Sequence, residues 1–258
     1  MIHLIEKGFH AKYQSIIDAF EGLEYPYQSV HIIPFTQDII HESFETKNVF
    51  CWGTVKMAHI AKKYGWSPGS MHNDNHDYRI YAPHYGTHML NHDSQIIKFS
   101  DTFKEPGYLF FARPCEDNKA FTGQVFTKES WDEYVEWALN NVHTGALNAD
   151  TPVQICSRKD IFREVRFFVV DGKIISASQY MINMRVITER TNIHAELELF
   201  TFAQEMIDTY QPADAFVIDI AITNEGFKVV EINCINCSGH YDCDTVAIVY
   251  AVHEYFSK

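Results

Sequence analysis

Near the carboxyl end, two long apolar runs are each broken by an acid. Phe216-Val217-Ile218-Asp219-Ile220-Ala221-Ile222 and Phe227-Lys228-Val229-Val230-Glu231-Ile232-Asn233 read as strands around an Asn224-Glu225-Gly226 turn. Strand alternation sets Asp219 on the opposite face from Ile218 and Ile220, and places Glu231 and Asn233 together on one face. An ionised carboxylate in a core is costly unless something pairs with it. Asp219, Glu231 and Asn233 are hard oxygen donors, the set that suits Mg²⁺ bridging substrate phosphates, with solvated surface acids as the plain alternative.

The same periodicities predict an α/β layer first: strands at 1–5, 30–33 and 49–52, and helices at 13–20 and 55–64, the second capped by Thr54 and stopped by Gly65. Residues 71–95 are polar and rich in His, and read as irregular or as a short helix around 87–90. Strands follow at 108–112 and 124–126, then a helix over 131–140 capped by Ser130 with Glu133 as capping-box partner, then a strand at 153–156. Residues 163–170 and 173–178 form a hairpin about Asp171-Gly172. A helix over 197–210 is ended by Pro212, and an apolar helix over 245–256 follows the last hairpin. No repeat or low-complexity linker separates these pieces, so two or three interlocked subdomains are expected.

Composition narrows the picture. With 258 residues, 46% of them hydrophobic, the chain can bury a large core. A formal net charge of -13 speaks against nucleic acid held on a broad basic surface. No apolar run has the length of a membrane span, and residues 1–7 lack the features of a signal peptide. Six unevenly spaced Cys fit a reducing cytosol better than a disulfide framework. There is no Walker P-loop, Rossmann glycine motif or Gly-x-Ser-x-Gly elbow.

Other groups of polar residues invite chemistry. Arg113 closes an apolar strand, and Lys119 lies in the loop that Gly123 ends. Cations so placed can grip phosphates, although surface positions are the simpler reading. Glu164 and Arg166 alternate onto one strand face, as a cleft-lining pair or a surface ion pair. Cys234, Cys237, His240 and Cys243 have soft-ligand character, but their spacing is tight for zinc, and reduced thiols in a glycine-containing loop are expected. His72, His76, His84, His88 and His92 lack the neighbouring acids of a metallohydrolase.

Together these stretches resemble the ATP-grasp superfamily, and more closely its clade named for an arginine and two lysines. The matching segments are Phe111-Ala112-Arg113-Pro114, Asp117-Asn118-Lys119-Ala120-Phe121-Thr122-Gly123 and Glu164-Val165-Arg166-Phe167-Phe168-Val169-Val170-Asp171-Gly172-Lys173. Ser178-Gln179-Tyr180, Ser238-Gly239-His240-Tyr241 and the last hairpin also fit, so the resemblance covers roughly residues 96–258. It implies an α+β, ATP-grasp fold: a small α/β pre-ATP-grasp domain over 1–95, then two α+β subdomains over 96–258, divided near 150, gripping ATP between them.

The resemblance also implies roles. Arg113 and Lys119 contact phosphates. The second lysine is Lys159, with Lys98 as its competitor. Gln154, Ile155 and Cys156 form the adenine-facing hinge, acting partly through backbone groups. Glu164 belongs to the nucleotide site, Arg166 lines the phosphate or acyl-phosphate pocket, and Arg185 assists. Asp219, Glu231 and Asn233 hold Mg²⁺. The implied activity is an ATP-dependent ligase joining a carboxylate to an amine through an acyl phosphate, with ATP and Mg²⁺ as cofactors and a small-molecule or peptide acceptor. A nucleotide-binding regulatory or tagging module is the alternative, and a zinc-binding interaction protein is a third reading. The Cys-rich loop after Asn233 is not expected from the family.

Overall fold

Three sheets are stacked along the chain, each built from residues close in sequence. The structure, a computed structural model, describes residues 1–258 apart from 10–12, 35, 43, 119, 142–146 and 184. The first sheet contains β1 (Ile2–Glu6), β2 (Tyr27–Ile32), β3 (Ile39–Ile40), β4 (Asn48–Trp52) and β5 (Ser67–Gly69), in the order β3-β2-β1-β4-β5. Parallel β1 is flanked by β2 and β4, with α1 (Tyr13–Gly22) and α2 (Val55–Tyr64) as connections. Parallel strands need such helical crossovers.

After α3 (Tyr78–Tyr85), the middle sheet contains β6 (Gln95–Lys98), β7 (Phe110–Pro114), β8 (Gln124–Phe126) and β9 (Pro152–Ser157), ordered β6-β9-β7-β8, with α4 (Lys128–Asn141) on one face. The third sheet contains β10 (Arg163–Val170), β11 (Lys173–Ile182), β12 (Arg185–Thr191), β13 (Ala215–Thr223) and β14 (Gly226–Cys234), ordered β12-β11-β10-β13-β14. Helices α5 (Leu197–Thr209) and α6 (Thr245–Phe256) complete the described elements.

Core packing explains the near-continuous apolar runs. Phe167, Phe216, Ile218 and Ile220 face α5 and α3, whereas Phe168, Ala215 and Val217 face α6 and the first sheet. Both faces of β10 and β13 are therefore buried, which removes the alternation of a half-exposed strand. Phe20, Phe50 and Trp52 share the second of these cores, so the first and third sheets are packed as one body. Asn236 ties them further: its side chain accepts from the Met71 amide at 2.7 Å and donates to the Cys51 carbonyl at 2.5 Å. The middle sheet has a core of its own around Phe99, Phe110, Trp131 and Ile155.

Several expectations are corrected. Helix α4 begins before Ser130. Thr127 caps it, accepting from the Ser130 amide at 3.2 Å, while Ser130 Oγ accepts from the Thr127 amide at 2.9 Å. Tyr108, read as the start of a strand, precedes β7 and is 82% exposed. In the His-rich tract, His72 and His76 stack on each other at 6.5 Å, His84 stacks on Tyr210, His88 lies against Phe202, and His92 Nδ1 meets the Met89 carbonyl at 3.1 Å. Among the described residues, no helix is long and apolar enough to cross a membrane.

Candidate active site

Strand register lines up four polar side chains across the third sheet. Ser178 on β11 stands opposite Arg166 on β10, Arg166 opposite Asp219 on β13, and Asp219 opposite Glu231 on β14. A bulge beside Asp219 leaves Val230 unpaired and brings Glu231 into that row. Asp219 is fully buried and Arg166 is 9% exposed. The guanidinium grips the carboxylate with both arms, Nε to Oδ1 at 2.9 Å and Nη2 to Oδ2 at 2.7 Å, and its third nitrogen donates to the Gly239 carbonyl at 3.2 Å. Such a two-point fork combines charge with orientation.

Glu231, 18% exposed, is bonded to Arg113 from β7 of the middle sheet. This ion pair spans the two sheets, and between them lies a cleft of about 550 Å³. Arg113, Phe121, Gly123, Val125, Lys159 and Glu231 are among its walls. Gly123 is required by close approach, since a Cβ there would lie 2.7 Å from Phe111 Cζ and 3.0 Å from Arg113 Cβ. The cleft walls thus combine apolar side chains such as Phe121 and Val125 with the charged groups of Arg113, Glu231 and Lys159. Pockets with mostly apolar walls and a few convergent polar groups are the usual form of small-ligand sites.

A family model for the ATP-grasp domain, family 3 of the clade named for one arginine and two lysines, matches residues 42–252. The chain belongs to this ATP-grasp family. Solved structures share the fold. D-alanine–D-alanine ligase from Bacillus anthracis superposes with a TM-score of 0.64 at 12% identity, covering 99% of this chain and 98% of that one. A RimK-domain ATP-grasp protein from Sphaerobacter thermophilus gives a TM-score of 0.62 at 13% identity, covering 97% and 98%. The ATP-grasp ligase PsnB, complexed with minimal precursor, Mg and ADP, gives 0.53 at 10% identity, covering 100% and 98%. A search of curated protein sequences returned no match.

On this ATP-grasp scaffold the sequence-derived residues separate into groups. Arg113, Lys159, Glu164 and Glu231 line the cleft, and Arg166, Asp219 and Asn233 stand behind Glu231. Lys119 lies outside the described residues. Of the two competing lysines, Lys159 is at the cleft, its ammonium 2.7 Å from both Asp93 Oδ1 and Ser157 Oγ, whereas Lys98 is surface-exposed and paired with Asp150.

Gln154, Ile155 and Cys156 are buried inside β9. The backbones of Gln154 and Ile155 have ladder partners on both sides, in β6 and β7, and Cys156 pairs with Phe111. Gln154 and Ile155 are therefore occupied on both edges, whereas Cys156 is paired on one side only. The segment after the strand, with Arg158, Lys159 and Ile161, lines the cleft instead. Arg185 is exposed at the start of edge strand β12, away from the cleft walls.

The donor set at Asp219 and Glu231 can be tested for a divalent cation. The two carboxylates are in register, and the Asn233 amide nitrogen is 3.5 Å from Asp219 Oδ2. Glu164 adds a third carboxylate, joined through the Tyr180 hydroxyl, which bonds Glu164 and lies 3.5 Å from Asp219 Oδ2. Burial pushes the Glu164 carboxyl from 4.5 up to about 7, with Asp219 and Glu231 adding to the rise. Arg113 and Arg166 are the cations paired with the Asp219–Glu231 row. Among the described residues, no three carboxylate, imidazole or thiol groups form a ready cage. The crowded oxygen donors nevertheless fit a hard cation that brings ligands of its own, such as phosphate oxygens.

Tyr180 and Tyr241 were not expected in the site. Their rings stack at 4.8 Å, and the Arg166 guanidinium carbon lies 5.3 Å and 5.0 Å from the two ring centres. Tyr241 takes a left-handed backbone (φ 47°) to do this. Both residues fall in segments that carried the family resemblance, which was the available signal. In the Cys-rich loop, burial pushes the Cys243 thiol up to about 12 and holds Cys234 well above its ordinary value. Among the described residues, no group of three His, Cys, Asp or Glu side chains is arranged there to hold a metal.

Proposed function

We propose that this ATP-grasp protein is an ATP-dependent ligase that activates a substrate carboxylate as an acyl phosphate and joins it to an amine. The observation that carries the reading is the row Arg166–Asp219–Glu231, continued by Arg113 across the cleft. It combines cations for phosphoryl oxygens with oxygen donors for a metal, in the wall of a cleft of nucleotide-accommodating size.

In this reading Arg113 and Lys159 orient the phosphates, with Lys119 assigned by the family motif alone. Arg158 and Ile161, in the segment after β9, take the adenine side in place of 154–156. Asp219, Glu231 and Asn233 hold Mg²⁺, which when bound neutralises charge on the transferring phosphoryl group. Arg166, held by Asp219 and Gly239 behind Glu231, fixes the Asp219 carboxylate and adds fixed positive charge behind the cleft wall. The substrate carboxylate attacks the γ-phosphorus and ADP leaves. The amine then attacks the acyl carbon and expels phosphate, losing its proton as the amide forms. We assign residues 1–95 to shaping the acceptor site and 96–258 to the nucleotide grip.

The test is to incubate the protein with Mg·ATP and a mixture of amino acids and peptides, following ADP by coupled assay and products by mass spectrometry. Condensation products formed with matching ADP and phosphate are expected. Thermal stabilisation by nucleotide with no product in any mixture would favour the regulatory-module alternative.

A further inference from the structure

A pair of histidines clasps β1 to α6, and the catalytic reading does not use it. His3 is fully buried on β1, with Nε2 2.9 Å from Nδ1 of His253 on α6. Its other ring nitrogen, Nδ1, takes the Trp52 indole N–H at 3.1 Å. An indole nitrogen can only donate, so it fixes the tautomer of both imidazoles. His3 Nδ1 carries no proton, His3 Nε2–H donates, and His253 Nδ1 accepts. Phe20, Phe50 and Trp52 close in the His3 ring, and the His253 ring stacks on Tyr25 at 3.7 Å.

An added proton breaks this chain wherever it lands. On His3 Nδ1 it confronts the Trp52 N–H. On His253 Nδ1 it confronts the His3 N–H, and a change of His3 tautomer only moves the conflict back to Trp52. Either way one hydrogen bond is lost and a charge is left in a buried site. Burial, then His253 and the Met1 amine, hold the His3 imidazole well below the usual histidine value. Burial and the Met1 amine lower His253 too, and Glu254, which accepts from Tyr25 at 3.0 Å, opposes them there. On its other side the Trp52 ring meets His240 edge-on at 6.0 Å, next to the Gly239 carbonyl that holds Arg166.

We propose that the Trp52–His3–His253 chain is a proton-sensitive clasp, closed at neutral pH and opened by one proton in mildly acidic solution, which loosens α6 on β1 and the seat of Trp52 against His240. Folding favours the neutral imidazoles, so the unfolded chain takes up their protons first, near 6.5. The stabilisation is complete above that pH and is lost as pH falls below it. Glu164 slopes the opposite way, so the comparison must be with a variant altered only at the clasp.

His253→Asn is that variant. Its amide oxygen takes the place of Nδ1, accepts from His3 and does not titrate in this range. In urea unfolding from about pH 8 to about pH 5, the wild-type folding constant should fall faster than the variant's below 6.5, by up to about tenfold per pH unit. Nitrogen-15 NMR of the wild-type imidazoles gives a second readout that is independent of any variant. His3 should carry its proton on Nε2 at neutral pH and gain a second only well below 6.5. Parallel pH slopes in the two chains would overturn the proposal. So would a His3 proton on Nδ1 at neutral pH.

Discussion

Asp219 and Glu231 are neighbours in register, yet burial predicts opposite outcomes for their removal. Asp219→Ala strands the buried Arg166 guanidinium and should cost about 3–5 kcal/mol of stability, read by denaturant unfolding. Glu231→Ala leaves a partly solvated Arg113, so the fold should persist while ATP turnover falls by about 10²-fold or more. Wild-type-like turnover in Glu231→Ala would remove the basis for the metal assignment. Glu164 supplies a pH test. The folded chain keeps this proton to about 7, whereas an unfolded glutamate releases it near 4.5, so ligand-free stability should fall as pH rises through that window. Glu164→Gln should flatten that slope in melting curves taken across it.

At the scale of elements, Gly123 sets how closely the loop before β8 lies over β7. In Gly123→Ala the new methyl meets the Phe111 ring, and that ring must move at the cleft wall. The expected outcome is a raised KM for ATP of about tenfold with little change in melting temperature, read by steady-state kinetics. The elements also show where the sequence was legible. β10, the Asp171-Gly172 turn, α5, α6 and the last hairpin follow directly from apolar period and turn chemistry, because burial on both faces left long unbroken runs. Arg113, Arg166, Asp219 and Glu231 could be picked out because charge inside such runs needs a partner. β12 was not legible, since an edge strand with every residue from 185 to 190 exposed has no hydrophobic period to read. Local patterns also do not show which strand residues have partners on both sides, as Gln154 and Ile155 do.

For the whole molecule, the cleft lies between two bodies with separate cores, so a ligand spanning it should add stability to both. At a nucleotide concentration a hundred times Kd, Mg·ATP should add about 2.7 kcal/mol, and the melting temperature should rise with nucleotide concentration. Unchanged melting with saturating Mg·ATP would contradict a nucleotide site between the sheets. The first and third sheets are welded through Phe50, Trp52 and Phe168, which leaves the middle sheet, on its own core, as the jaw facing them across the cleft. The chain enters that jaw beside Asp93 and leaves it beside Lys159, and the ammonium of Lys159 latches the two crossings at 2.7 Å. On the proposed function, a phosphate that draws Lys159 away from Asp93 unfastens the latch as it arrives. Loading and release of the jaw would then be a single event.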